Sequence, residues 1–382
     1  MPTQALELLE FDKILDILAC YAVTEGGKRL ARSLQPKTDR SEVTRLLQET
    51  DEMARALEKA FHMPLEPLED ITPVARRAES AGSPLEPQAF NRVADCLETA
   101  HHLSNALQRT GDEFPALMRL GHAIPQCPEL IKRIRDTISN AGQVRDNASP
   151  ELRSIRRRIQ SHRRKIESTL RRMIENSQVR ENLRYDNPTM CRDRYVLPVN
   201  AHMKSRVKGL VHGASDSGQT LYIEPMEIVE VGNDLNAAEA EEEEEIRTIL
   251  WQLTRALADV ADEVVTCARH VAQVDVLRAK GLMSNAFRMC TPKVSHGRAL
   301  VLRDARHPLL LYMTRPENVK APRVDQIDRS GVVPLDVHLG DEFQMLLITG
   351  PNTGGKTVSL KTIGLLSLMM RAGMNVPADK AI

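Results

Sequence analysis

Aromatic residues are scarce in this chain: 3% of 382 positions, with a single Trp, Trp251. Surfaces that hold single strands by stacking bases on rings need several of them, so a large stacking platform is excluded. Net charge is missing too, because 52 basic residues balance 52 acidic ones. No whole-chain attraction to nucleic acid or to an anionic membrane follows, and charge has to be read locally. The six cysteines (Cys20, Cys96, Cys127, Cys191, Cys267 and Cys290) lie far apart. None has the short spacing of a zinc site or a redox motif. Reduced, mostly buried thiols in a cytosolic protein are the expectation. The longest apolar runs, such as Leu365–Met370, are too short to span a bilayer. The N-terminus lacks the basic segment and apolar run of a secretory signal. A soluble, cytoplasmic protein with no membrane partner is expected.

What is present divides the chain by grammar. Residues 1–149 read as helices cut by proline-rich turns, HMPLEPLED and SPLEPQ among them. Leu6, Leu9, Ile14, Leu15 and Leu18 recur at helical spacing, and Thr38–Glu42 offers a cap before Val43. This helical core carries no recognisable chemistry. Its adjacent His101 and His102 do not share a helix face and read as packed or solvent-facing rather than as metal ligands.

From Pro150 the pattern changes. Leu152, Ile155, Ile159, Ile166, Leu170 and Met173 recur at steps of three and four, with His162 at the missing position. Ile246, Leu250, Leu253, Leu257, Val260, Val264, Cys267, Val271 and Val274 do the same. That is the repeat of a coiled-coil seam. Two such helices in one chain are expected to fold back on each other, the first over 150–184 and the second over 234–295. Between them, 185–233 holds the short β-type runs RYVLPV, GLVHGAS and QTLYIEP with glycine turns, a small β-rich tip. The first arm helix is basic and the second opens on the acidic run AEAEEEEEI. Arg156, Arg157, Arg158, Arg163, Arg164 and Lys165 are expected to lie beyond reach of that run. They are therefore the candidate phosphate contacts, beside the alternative that the basic and acidic arms satisfy each other's charge and otherwise face solvent.

After about residue 296 the runs VLRDARHPLLL, VVPLDVHL and QMLLITG read as β-type, and a helix is expected from Lys356. Between strand and helix stand Gly350, Pro351, Asn352, Thr353, Gly354, Gly355, Lys356 and Thr357, a full match to G-x-x-x-x-G-K-[ST]. Glycines let backbone N–H groups turn inward around phosphate oxygens. The following helix adds its positive end, Lys356 a charge on the outer phosphates, and Thr357 a hydroxyl for Mg²⁺. ATP and Mg²⁺ are the expected cofactors. An acidic residue ending a later strand, which hydrolysis needs, has no counterpart here, so no catalytic residue is assigned.

The fold class expected is mixed. An all-α core bears a long antiparallel coiled-coil arm with a small β-rich tip, followed by an incomplete α/β P-loop domain of the ABC type over 296–382. This order of parts, with EFDKILDILACYAVTEGGKRLARSLQP, RYVLPV, SGQTLYIEP, ARHPLL and GPNTGGKTVSLKTIGLL, resembles the second bacterial branch of the MutS family, endonuclease MutS-two. Thr353 fits that branch, where mismatch-repair relatives usually have Met. The resemblance implies a homodimeric, ATP-switched clamp on double-stranded or branched DNA, or on the ribosome and its rRNA. The implied roles are suppression of homologous recombination and rescue of collided ribosomes, with a nuclease domain of the Smr type in longer members. Walker B, signature loop and nuclease have no counterpart in the sequence, so only Gly350–Thr357 carries over and the chain is expected to be cut inside its ATPase domain. The alternatives are a non-catalytic fragment that binds nucleic acid or ribosome, and an inert product.

Overall fold

The computed structural model describes residues 3–295, 297, 299–340, 343–349 and 355–382. They form two compact units, one of Met1–Ser80, Arg92–Ile131 and Leu257–Ile382, the other of Ala81–Asn91 and Lys132–Ala256. The architecture is mixed and mostly helical, with two small antiparallel sheets.

Helices α1 (Thr3–Leu8), α2 (Phe11–Tyr21), α3 (Glu25–Arg32), α4 (Arg40–Glu58) and α5 (Thr72–Glu79) open the chain. Next come α6 (Pro87–Gln108), α7 (Pro115–Ala123) and α8 (Pro128–Thr137). Local sequence sets their starts. Asp39 accepts from the Glu42 N–H at 2.8 Å and caps α4 where the sequence offered a cap. Thr24 accepts from the Gly27 N–H at 2.9 Å and caps α3. Proline occupies the first turn of α5 and α7, where its missing N–H costs nothing. Then come α9 (Pro150–Glu175), α10 (Ser177–Arg180), β1 (Thr189–Cys191), β2 (Arg194–Asn200), β3 (Gly209–Ala214), β4 (Thr220–Pro225), α11 (Met226–Ala258) and α12 (Ala261–Phe287). The chain closes with β5 (Leu300–Ala305), α13 (Pro308–Met313), β6 (Leu335–Leu339), α14 (Lys356–Arg371) and β7 (Lys380–Ala381).

In the first unit, α12 packs against α2, α3, α4 and α5. It is buried almost all round, as expected of a helix at the centre of a core. One apolar cluster joins Phe11, Ile14 and Leu18 of α2, Met283 and Phe287 of α12, Leu302 of β5, and Leu365 and Met369 of α14. The sheet order is β6-β5-β7, with Leu302 opposite both Val337 and Ala381.

In the second unit the sheet order is β1-β2-β4-β3, all antiparallel, with Leu197 opposite Ile223. The three runs read as tip strands are β2, β3 and β4. Ile155, Ile159, Ile166 and Leu170 of α9 share a core with Leu197, Val199 and Ile223 of the sheet and with Ile228, Val231, Leu235 and Ala238 of α11.

Five expectations are corrected. The tip ends at Pro225, because residues 226–233 already belong to α11. The second arm helix is not continuous. It breaks after Ala258 and restarts at Ala261, although neither Gly nor Pro marks the place and Leu257, Ala261 and Val264 stay buried across it. RHPLLL is not a strand but the start of α13, with Pro308 in its first turn. QMLLITG forms no strand over its described residues: Met345 is 85% and Leu347 82% exposed. No strand among the described residues pairs with that backbone, although β6 and β7 are both edge strands. The cysteines are all free, yet only Cys96 and Cys267 are buried, and Cys20 is exposed.

Candidate functional site

Of the eight loop residues, Gly350–Gly354 lie outside the described residues. The last three begin α14. Gly355 caps the helix at φ 81°, a left-handed conformation that suits glycine. A Cβ there would meet no atom within 4 Å. The glycine therefore serves backbone conformation, and the space in front of it is open. The Ser359 N–H donates to the Gly355 carbonyl at 2.9 Å. Behind that first turn bond, the N–H groups of Lys356, Thr357 and Val358 have no acceptor within the helix. Lys356 makes no ion pair among the described residues and Thr357 is exposed. Amides with no acceptor in the helix, the positive helix end and a lysine with no ion pair among the described residues all belong to this first turn, which suits an anion.

The rest of α14 is held firmly. Thr362, Leu365, Leu366, Leu368 and Met369 are buried. Gly364 lies against Leu9, with room for no Cβ: the nearest atom would be 2.8 Å away. Lys361 donates to Glu10 at 2.8 Å. Hydrogen bonds from Lys13 and Lys361 hold the Glu10 carboxyl at about 2. At the other end Thr50 Oγ1 donates to the Gly373 carbonyl at 2.6 Å and Asn375 Nδ2 to Ser284 Oγ at 2.8 Å. A helix anchored at both ends fixes where its first turn points.

Two cavities flank that first turn. One, of about 580 Å³, is lined by Gly355, Val358, Ser359, Val333 and His307 among others. The second, of about 500 Å³, is lined by Thr357, Lys361, Glu10 and His307. His307 lines both, and its Nδ1 is buried without a partner. Burial pushes its pKa down, so the ring is neutral at pH 7. Among the described residues no group of three or more His, Cys, Asp or Glu could hold a metal ion. His101 bonds Gln126 and Asn105 instead.

The second unit corrects the reading of the basic arm. Arg156 donates to Glu242 at 2.7 Å and Arg163 to Glu239 at 2.6 Å, and Arg158 pairs with Glu241. Ser149 and Glu245 are joined at 2.7 Å, and Arg172 reaches Glu227 at 3.6 Å. Partners fall in number as α9 rises, so α9 and α11 run antiparallel. The glutamate run lies beside Arg156–Arg163, not beyond its reach. The error was one of register: α11 starts eight residues earlier than expected, at Met226, and that shifts the run toward the start of α9.

Arg157, Arg164 and Lys165 stay exposed and form no ion pair among the described residues. Arg153 and Arg171, passed over in the sequence, join them. Arg153, Arg157, Arg164 and Arg171 fall within about 40° of one another around the helix axis. They lie on the face opposite the buried Ile155–Leu170 seam. The four-and-seven spacing was the available signal.

A helical scaffold, then two antiparallel long helices separated by a small sheet, then a glycine-capped Gly-Lys-Thr helix start: this is the order of parts of a MutS-type protein. No protein-family model matches the chain. It is 34% identical over 382 residues to endonuclease MutS2 of Clostridioides difficile, covering 99% of this chain and 46% of that protein. It is 37% identical over 381 residues to endonuclease MutS2 of Thermomicrobium roseum, covering 99% and 47%. Against the protein of the same name from a Geobacillus species the identity is 35% over 381 residues, covering 99% and 46%. The chain belongs to the MutS2 family. It spans about half the length of the curated relatives it matches. No helix among the described residues is long and apolar enough to cross a membrane.

Proposed function

We propose that this chain binds ATP with Mg²⁺ at Gly350–Thr357 and nucleic acid along α9, as part of a MutS2-type clamp. The observation that carries the first half is the start of α14. It combines an open left-handed glycine, amide groups with no acceptor in the helix and a Lys356 with no ion pair among the described residues, in the frame of a full phosphate-loop motif. Lys356 would sit on the outer phosphates and the Thr357 hydroxyl on the magnesium ion, which neutralises phosphate charge when bound. The anchoring of α14 by Glu10, Thr50 and Lys280 keeps those groups in place without reorganisation.

For the second half, the paired long helices are read as the coiled-coil arm of the clamp, with the β-rich module at its tip. Arg156, Arg158 and Arg163 have their charge met by glutamates, so phosphate contact falls to the stripe Arg153, Arg157, Arg164 and Arg171, with Lys165 beside it. Lys204, Arg206 and Lys208 of the tip are also exposed and without ion pairs among the described residues, and are further candidates. The relatives' name suggests DNA as the target. Branched DNA and ribosomal RNA offer the same phosphates, and the family roles in recombination and ribosome rescue rest on the resemblance alone. A homodimer is part of the same reading.

The exposed, unpaired Met345–Leu347 segment favours a second reading, in which the chain binds nucleotide and nucleic acid without turnover. Calorimetry of the chain with MgATP tests the proposal. Saturable binding, weakened at least about tenfold by Lys356→Ala, is expected. An empty site at saturating nucleotide would reject it. ATP turnover that Lys356→Ala abolishes would reject the second reading alone.

A further inference from the structure

A cavity of about 440 Å³ inside the first unit has a buried lysine in its floor. It lies between α3, α4 and α12, and Ala372, the C-cap of α14, also lines it. Val276, Leu277 and Lys280 of the lining are buried, while Gln35 and Gln273 are exposed at the mouth. Lys280 is 7% exposed, and its Nζ donates to the Ala372 carbonyl at 2.7 Å. An ammonium carries three N–H donors. The other two have no acceptor among the described residues, and no carboxylate there stands within ion-pair distance of Nζ. A buried charge in that state is costly, and an anion brought beside it would remove the cost.

The charges around the cavity select the anion. Lys37 pairs with Glu42 at 2.9 Å, and Arg45 pairs with Glu49. All four line the cavity, so each acid there already has its cation. Three cations against two carboxylates leave one positive charge, that of Lys280. His270, also on the wall, bonds the Thr266 carbonyl through Nδ1 at 2.8 Å. A singly charged group is matched. A doubly charged phosphate is not, because its second charge would face Glu42 and Glu49 with no cation left to meet it. The rest of the wall is aliphatic, with Leu30, Leu34, Leu46, Leu120, Val274 and Leu277. No Phe, Tyr or Trp lines it, so a flat base has no ring to stack on.

We propose that this cavity binds a small aliphatic monocarboxylate, with its carboxylate on Lys280 Nζ and its chain along the leucines of α3, α4 and α12. The carboxylate oxygens accept the two N–H groups that the Ala372 carbonyl leaves over. The chain runs from the buried floor toward Gln35 and Gln273. A volume of this size falls within the range of small-molecule sites, roughly 300–1,000 Å³. The site stands at the C-terminal end of α14. The phosphate loop stands at the other end of that 16-residue helix, about 24 Å away. Carboxylate binding therefore does not depend on the nucleotide reading.

The test is calorimetry of the whole chain with octanoate at pH 7, below the Lys280 pKa of about 8. Octanoate should bind saturably at one site per chain. Octanol, which keeps the chain and loses the charge, should bind at least about tenfold more weakly. Acetate, which keeps the charge and loses the chain, should also be weaker by at least about tenfold. Inorganic phosphate should not displace octanoate. Lys280→Met should weaken octanoate at least about tenfold and bring it level with octanol. The proposal falls if octanoate does not saturate, if octanol or acetate equals it, or if phosphate displaces it. It falls equally if a folded Lys280→Met keeps the wild-type affinity. The ligand series needs only the wild type, so the outcome stays decisive even where Lys280→Met fails to fold.

Discussion

Lys280 donates from Nζ to the carbonyl oxygen of Ala372 across 2.7 Å, with the lysine 7% exposed. Ala372 is the C-cap of α14, so a buried ammonium stands at the negative end of the helix whose positive end is the candidate phosphate site. Burial pushes the Lys280 pKa down to about 8, and Glu49 pulls against that shift.

That shift fixes a pH dependence. The folded pKa of about 8 lies below the ordinary 10.5. Between those values the unfolded chain holds a proton that the folded chain has released, so the Lys280 contribution to stability rises with pH across that window. Below about 8 it is a standing cost on the order of 3 kcal/mol. Cys96 and the buried tyrosines titrate with the opposite sign, so the comparison must be with Lys280→Met. Urea unfolding at pH 7 to 10.5 should show the wild type gaining on the variant by up to about 3 kcal/mol. A difference that is flat in pH would contradict the burial of the charge.

The α9 stripe makes a prediction in salt. Each phosphate contact removed lowers the slope of log affinity against log salt by about 0.9 on duplex DNA. Replacing Arg157, Arg164 and Arg171 together by Ala should therefore flatten the slope by roughly 3. Replacing Arg156, Arg158 and Arg163, already met by glutamates, should flatten it much less. Filter or fluorescence binding over a salt series reads both. Equal flattening by the two triples would mean the ion pairs open on binding and that the stripe has no special standing.

The sequence showed most of the helical scaffold and the tip strands, because apolar spacing and cap residues are local signals. Asp39, within the stretch that offered a cap, caps α4, and Lys356 starts α14. What it did not show depends on register and partners. Whether Arg156 meets Glu242 is decided by where α11 begins, and no single residue marks Met226 as that point. QMLLITG has the composition of a strand, but composition does not supply a pairing partner, and no described strand pairs with it. The break at Asp259–Val260 has no Gly or Pro to announce it. The Arg153–Arg171 stripe was legible in principle, but is noticed only once the neighbouring arginines are seen to be paired.

Gly373 and Gly218 separate two kinds of glycine requirement. Both have left-handed φ, 68° and 69°. A Cβ on Gly218 would meet nothing within 4 Å, whereas on Gly373 it would stand 2.4 Å from Leu46 Cβ. Gly218→Ala should cost about 1–2 kcal/mol, the backbone term alone. Gly373→Ala should cost at least about 2 kcal/mol more, since the Leu46 side chain is attached at the clashing atom and cannot swing away. Thermal or urea unfolding of the two variants gives the comparison directly. Equal losses would show that α4 yields at Leu46.

Asp275 and Gly27 provide the most demanding check on the first unit's core. Asp275 is fully buried on α12. Its carboxylate accepts from the Val23 N–H at 3.1 Å, the Thr24 N–H at 2.8 Å and Thr24 Oγ1 at 2.7 Å, fixing the entry of the chain into α3. A Cβ on Gly27 would stand 2.2 Å from Asp275 Oδ2. Asp275→Ala strands three donors, the two of Thr24 buried and that of Val23 half-buried, and should cost about 3 kcal/mol or more. Asp275→Asn should recover much of that loss, because all three donors reach Oδ2, whose place the amide oxygen can take, and the NH₂ would then face only the Val23 N–H, 3.2 Å from Oδ1. Gly27→Ala alone pushes the carboxylate off its donors. In an Asp275→Ala background there is no carboxylate left to displace, so the same Gly27 change should cost at least about 1 kcal/mol less. Additive losses in that double-mutant cycle would mean that Thr24, whose Oγ1 would lie 2.8 Å from the new methyl, and not Asp275, excludes a side chain at Gly27.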